Sequence, residues 1–120
     1  MMYMSPTVLI VDDHPSFRAV ARMLLEFDGW TVVGEAADGA GGVAAAGRLR
    51  PDIVLLDVNL PDIDGFEVAA RIIEAGDAPD VVLVSSRDAR DFGPLVGRCG
   101  ARGFLSKADL SGAALRQLVA

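Results

Sequence analysis

Asp12 and Asp13 close the apolar run Val8-Leu9-Ile10-Val11, Asp57 closes Ile53-Val54-Leu55-Leu56, and Lys107 follows Gly103-Phe104-Leu105-Ser106. Short continuous apolar runs bounded by loops read as strands buried on both faces, the usual condition of a parallel sheet. Ligands of such sheets bind beyond the carboxyl ends of the strands. These side chains, with Ser85 after Val81-Val82-Leu83-Val84, therefore converge on one edge. Three carboxylates gathered there repel one another and resist ionisation unless a cation joins them. A hard, oxygen-seeking divalent ion suits that set, and Mg²⁺ is the cellular candidate. One carboxylate could instead attack phosphorus, because aspartyl phosphates are established covalent intermediates. Charge on the transferring oxygens must then be met by cations and donors already in place. Asp12 or Asp13 would hold the ion, the Lys107 ammonium would neutralise a second oxygen as a flexible point charge, and the Ser85 hydroxyl would donate to a third. Asp57 is the best nucleophile candidate, because its strand should lie centrally.

The elements that must position these residues are five apolar runs alternating with five helix-like stretches, the pattern of βαβ units. The first strand is expected at 8–12, followed by a helix from Pro15 with Phe17, Val20, Ala21 and Leu24 on its buried face. A second strand at 31–36 ends before the turn pair Asp38-Gly39, and an alanine- and glycine-rich helix follows at 42–49. The third strand, 53–57, runs into the loop 58–63. Asp64 and Glu67 make a capping pair for a third helix that buries Phe66, Ala69, Ala70 and Ile73. After a strand at 81–85, Gly93, Pro94 and Gly97 interrupt the fourth helix and predict a short, bent element. The last strand is expected at 103–106 and the last helix at 110–119. Right-handed crossovers then give an open sheet with helices on both faces, whose strand order the pattern alone leaves undetermined.

A chain of 120 residues makes one domain, with residues 1–6 as a flexible N-terminus and 7–120 as the folded unit. Hydrophobic residues form 52% of the chain and aromatics only 6%, so Val, Leu, Ile and Ala must build the core. No apolar run approaches the roughly 18 residues of a membrane span, and the N-terminus lacks the basic start of a secretory signal. The single cysteine, Cys99, allows no internal disulfide and fits a cytoplasmic setting. A net charge of −6 argues against this chain itself gripping a phosphate backbone.

Taken in order, Val8-Leu9-Ile10-Val11-Asp12-Asp13, Asp57 with Leu60-Pro61 and Asp64-Gly65, Ser85, and Phe104 ahead of Lys107 resemble the receiver domain of bacterial two-component response regulators over about residues 7–119. Val11-Asp12-Asp13-His14, Gly34-Glu35-Ala36 and Ala101-Arg102-Gly103-Phe104 look most like the branch that usually carries a LuxR-type helix-turn-helix output. The resemblance implies a flavodoxin-like (βα)5 fold of strand order 2-1-3-4-5, for which a chemotaxis receiver is the standard illustration. It implies a sensor histidine kinase or phosphotransfer protein as donor and Asp57 as acceptor. It also implies Mg²⁺ held by Asp13, Asp57 and the Asn59 backbone carbonyl, with Asp12 helping directly or through water. Ser85 and Phe104 become a switch pair that rearranges the face of the fourth helix, fifth strand and fifth helix and alters partner or self association, including homodimerisation. Asn59 and Arg87 fall where phosphoryl lifetime is tuned. Two departures stand out. Phe104 offers no hydroxyl, so only packing can bias its ring, and Ala108 follows Lys107 where proline is common, so a trans bond is expected.

Each residue also has a plainer reading. Asp12 and Asp13 precede a helix and could be caps, Lys107 alone would be a solvated charge, and Ser85 a commonplace strand end. His14 reads as a solvated or capping residue rather than a ligand, Cys99 as inert, and Arg18, Arg22, Arg48 and Arg50 as solvated helix-face charges. Among functions, a phosphorylation-activated switch without turnover leads. The alternative is a Mg²⁺-dependent aspartyl-phosphate phosphatase of the haloacid-dehalogenase kind. Those enzymes place an acid/base aspartate two residues after the nucleophile, where this chain has Asn59, which cannot titrate. A free-standing receiver and a fragment of a longer DNA-binding regulator are equally compatible with the sequence.

Overall fold

A computed structural model describes residues 6–76 and 79–119. The β-strands are β1 (Thr7–Val11), β2 (Thr31–Ala36), β3 (Ile53–Asp57), β4 (Asp80–Ser85) and β5 (Gly103–Ser106). The α-helices are α1 (Pro15–Phe27), α2 (Gly39–Leu49), α3 (Gly65–Glu74), α4 (Leu95–Arg98) and α5 (Gly112–Val119). The strands are all parallel in the order β2-β1-β3-β4-β5, which supplies the order the sequence left open and makes β1 and β3 neighbours. Residues 1–5 lie outside the described residues. The Pro6 carbonyl accepts from Thr31 N at 2.9 Å.

Alternation along the strands splits the core in two. Val8, Ile10, Ile53, Leu55, Val82 and Val84 pack with Ala21, Leu25 and Leu115 on the α1/α5 side. Leu9, Val11, Val54, Leu56, Val81 and Leu83 pack with Ala45, Ala46, Phe66, Val68, Ala69 and Ile72 on the α2/α3 side. Some expected faces are turned. On α1 the buried residues are Ala21 and Leu25, while Val20 is 47% exposed. On α3, Val68 and Ile72 are buried where Ala70 and Ile73 are only partly covered. Helix α2 begins at Gly39 rather than 42, because Asp38 caps it. The interrupted segment before β5 resolves into a 3₁₀ turn, Ala89–Phe92, and the four-residue α4, as its Gly and Pro content requires. All described peptide bonds are trans, including Lys107-Ala108. Among the described residues no helix is long and apolar enough to cross a membrane.

Asp64 caps α3 through Phe66 N, at 2.6 Å from its Oδ1, but Glu67 turns to Arg71 instead of completing the capping pair. Gly65 then lets the first turn of α3 lie against the end of β3. A Cβ there would sit 2.4 Å from the Asp57 carbonyl oxygen and 2.6 Å from Val58 Cα, both backbone atoms that cannot step aside. Gly47, by contrast, faces open space on α2. Urea unfolding should therefore give opposite signs for two glycine substitutions. Gly65→Ala should lose about 2–3 kcal/mol through overpacking, while Gly47→Ala should gain about 0.5–1 kcal/mol from helix propensity.

Candidate functional site

Strand alternation sets up the cluster. Val8 and Ile10, Ile53 and Leu55, and Leu105 all point to the α1/α5 side, and the next positions of that parity are Asp12, Asp57 and Lys107. Asp12 extends β1 by one rung, its N–H donating to the Ala36 carbonyl at 3.0 Å. Neighbouring strands β1 and β3 bring Asp12 and Asp57 together in the middle of the sheet, and both are buried with relative exposures of 0% and 2%. Lys107 Nζ reaches across β4 to stand 2.7 Å from Asp12 Oδ2 and 3.6 Å from Asp57 Oδ2. The ring of Phe17 lies under that ammonium, 4.4 Å away, and limits its freedom.

Neither aspartate occupies the N-cap position of α1. Asp12 Oδ1 accepts from His14 N at 2.8 Å, and the N-cap of α1 is His14, whose side chain caps nothing. The imidazole instead turns into the cluster, with Nδ1 3.1 Å from Asp12 Oδ1 and 3.2 Å from Asp13 Oδ1. His14 is solvated as expected but is also a neighbour of the carboxylates. Asn59 lies in the loop after β3, and its N–H donates to Asp57 Oδ1 at 3.2 Å. Ser85 is fully buried, and its Oγ accepts from Arg87 N at 3.0 Å. That contact uses a lone pair, so the hydroxyl hydrogen remains available to a ligand. The Arg87 residue itself is exposed.

Phe104 pairs with Leu83 across the β4–β5 ladder and is half-buried. Its ring packs on Phe92 with centroids 5.8 Å apart, and Phe92 meets Phe66 of α3 edge-on at 5.6 Å. Phe104 also lines an open groove of about 430 Å³ shared with Ser86, Asp88, Ala89, Ser106 and Asp109. Phe92 carries no sequence signal, because no spacing rule pairs a residue of a broken helix with one on β5. Arg18 and Arg22 have the sequence setting of solvated helix-face charges. Both in fact clamp Glu35, at 3.0 and 2.8 Å, and Arg18 also donates to the Asp12 carbonyl, which ties α1 and β2 to the end of β1. The pKa of Glu35 is lowered by this pair, mostly through its bond to Arg22.

The donor set fits a hard cation. Oxygens of Asp12, Asp13 and Asp57 and a nitrogen of His14 lie within 4.8 Å of one another. Asp12 Oδ2 and Asp13 Oδ1 are shielded from solvent without a hydrogen-bond donor, the first having only its ion pair with Lys107 and the second only the nearby imidazole. Buried carboxylate oxygens left in that condition favour an oxygen-ligated divalent ion.

A doubly wound sheet of order 2-1-3-4-5 with two buried aspartates and a bridging lysine at its carboxyl edge defines a phospho-acceptor signalling domain of two-component systems. The chain belongs to the response regulator receiver domain family, whose profile matches residues 8–120. It is 36% identical over 113 residues to the response regulator GacA of Pseudomonas viridiflava, covering 93% of this chain and 51% of that protein. It is 39% identical over 84 residues to a protein-glutamate methylesterase/protein-glutamine glutaminase of Hahella chejuensis, covering 70% of this chain and 24% of that protein. A solved LuxR-family two-component response regulator from Aurantimonas superposes with a TM-score of 0.84 at 30% identity, covering 95% of this chain and 81% of that one. The chain spans about half the length of most of the curated relatives it matches.

Burial, and then the Asp12 charge, push the Asp57 carboxyl up from 3.8 to about 6, with Lys107 opposing them. A carboxyl whose pKa is raised by folding destabilises the fold once it is ionised. In chelator, the protein should therefore gain stability as pH falls through about 6. Asp57→Asn should add about 3 kcal/mol near neutral pH. Its advantage should shrink to nothing as pH approaches about 4. Urea unfolding of both proteins across that range checks the sign, and a pH-independent difference would contradict it.

Proposed function

We propose that Asp57 is the phospho-acceptor of this receiver, and the observation that carries the reading is Lys107 Nζ bridging the buried carboxylates of Asp12 and Asp57. An Asp57 oxygen attacks the phosphorus of a phosphohistidine on a sensor kinase or phosphotransfer protein. The P–O bond forms as the P–N bond breaks, and the imidazole leaves with the electron pair and takes up a proton. Lys107, already aimed at Asp57 and backed by Phe17, meets the charge arriving on one phosphoryl oxygen. Ser85 donates its free hydroxyl hydrogen to another. Asp12, Asp13, Asp57 and the Asn59 carbonyl would hold Mg²⁺, which supplies charge neutralisation when bound. Asn59, lacking an acid/base function, and Arg87 set how long the phosphoryl group persists. The protein then acts as a switch and not as a turnover enzyme, despite its likeness to part of a methylesterase.

The readout runs through Phe104. When Ser85 turns to the phosphoryl group, the ring moves between its contact with Phe92 and the open groove, and the α4, β5 and α5 face changes its affinity for a partner or a second copy. The names and lengths of relatives called transcriptional regulators, about half of whose length this chain spans, support a longer regulator whose separate output domain binds DNA, with this acidic domain making no nucleic-acid contact of its own. A cytoplasmic setting follows from a kinase donor.

Incubation with acetyl phosphate and Mg²⁺ should add one phosphoryl group, read by intact mass. Asp57→Asn should take up none, and Lys107→Ala should slow uptake by about 10²-fold or more. Phosphate retained on the Asp57→Asn protein would overturn the assignment.

A further inference from the structure

Asp62 is exposed, yet both its oxygens are engaged. Oδ1 accepts from Gly39 N at 2.7 Å and Oδ2 from Ala40 N at 3.0 Å. Helix α2 thus satisfies its first four N–H groups in two ways. Gly41 and Gly42 use Asp38, its local cap, whereas Gly39 and Ala40 depend on a residue of the β3–α3 loop. These are charge-assisted bonds at a helix N-terminus, and they hold the Asp62 carboxyl below the usual carboxylate range.

The loop leaves β3 with Val58 N on the Val84 carbonyl and rejoins α3 with Gly65 N on the Val58 carbonyl. Between these ends Asn59 N bonds Asp57, and Leu60 and Ile63 pack on the core. For loop positions 60–63, Asp62 supplies the described polar tie to another element. Helix α2 is in turn seated on β1, since a Cβ on Gly42 would fall 2.8 Å from Val11 Cγ1, and Val11 directly precedes Asp12. Asp62 therefore ties the loop bearing the Asn59 carbonyl to the strand that ends in Asp12 and Asp13.

We infer that Asp62 is a positioning residue that sets the Asn59 backbone against the Asp12–Asp13 half of the cation site. The inference rests on the phospho-acceptor reading of that cluster. It predicts that cation affinity depends on the Asp62 anchor more than on the stability of α2.

The test is titration of the full chain with Mg²⁺ alone, followed by backbone amide NMR, beside urea unfolding. Asp62→Ala should weaken Mg²⁺ binding about threefold to tenfold, at and below the lower end of the effects of groups that orient ligands directly, because Asp62 acts through the loop backbone. Gly39→Ala keeps the charge but would place a Cβ 3.1 Å from Asp62 Oδ1 and 2.8 Å from Val68 Cγ2, so it should weaken binding in the same direction. Asp38→Ala strips α2 of its local cap and should lower the urea midpoint while leaving affinity within about twofold. Unchanged affinity in Asp62→Ala overturns the inference, as does an equal loss in Asp38→Ala. A loss confined to Asp62→Ala and absent from Gly39→Ala assigns the effect to charge and also overturns it. A wild-type protein that binds no Mg²⁺ refutes both readings. One that binds Mg²⁺ but gains no phosphoryl group from acetyl phosphate refutes the phospho-acceptor reading alone, while the affinity series still decides the role of Asp62.

Discussion

The arrangement depends on carboxylates forced together in a place where water cannot relieve them. Strand order puts β1 beside β3, and both strands end in an aspartate whose side chain is almost wholly buried. Solvated surface carboxylates at this spacing would interact weakly, but desolvation magnifies both their repulsion and any attraction to a cation. Lys107 offsets part of that repulsion from 2.7 and 3.6 Å, and Arg18 contributes indirectly by holding the Asp12 carbonyl. One partly covered lysine against this many carboxylates leaves the cluster short of positive charge, and burial first, then the Asp12 charge, raise the pKa of Asp57. A site kept in that state has free energy to gain from a divalent ion, so charge shortage and ligand affinity are one property seen from two sides.

That constraint fixes what the surrounding elements must do. The strands carrying aspartates are central and covered on both faces, which makes the acidic half of the site stiff. Beyond the buried strand β4, the β5 edge is less enclosed. All four residues of β5 are partly covered rather than buried, and no residue of the 3₁₀ turn or of α4 is buried. Few buried apolar contacts mark the parts of a fold that open most readily. A stiff acidic pocket therefore lies next to a loosely packed edge.

Most of the fold and the chemical core of the site were legible in the sequence because both follow from period and position. Continuous apolar runs locate parallel strands, and the residue ending each run must emerge at the carboxyl edge, so Asp12, Asp57, Ser85 and Lys107 could be placed without coordinates. What could not be read depends on contacts between distant segments. Val20 fits the helical spacing of a buried face but stands 47% exposed, because α5 and the sheet leave that side of α1 uncovered and Leu25 takes the inner position. Glu67 satisfies the capping pattern locally, yet Arg71 one turn on competes for it. Arg18 looks like any helix arginine until β2 folds alongside and presents Glu35. His14 is read as a solvated residue from sequence, and only the turn of the backbone shows its ring beside both aspartates.

The α1–α5 contact explains why change should fall on one edge of the sheet. Asp28, just past the end of α1, accepts from Gly112 N at 2.8 Å and so caps α5, while Trp30 donates from Nε1 to the Gly112 carbonyl at 3.3 Å. Arg116 returns from α5 to the Asp28 carbonyl and lies over the Trp30 ring. Gly112 has no room for a Cβ, which would meet Asp28 at 2.3 Å, so the start of α5 is clamped tightly to α1 and β2. Among the described residues no comparable polar clamp fastens α4, which meets the core through Val96 and through its neighbours Phe92 and Cys99. A disturbance at Phe104 therefore meets a bolted helix on one side and a weakly held turn on the other. The lower-cost response is to repack Phe92 and shift the segment around α4, with α5 serving as the fixed frame against which that shift is seen.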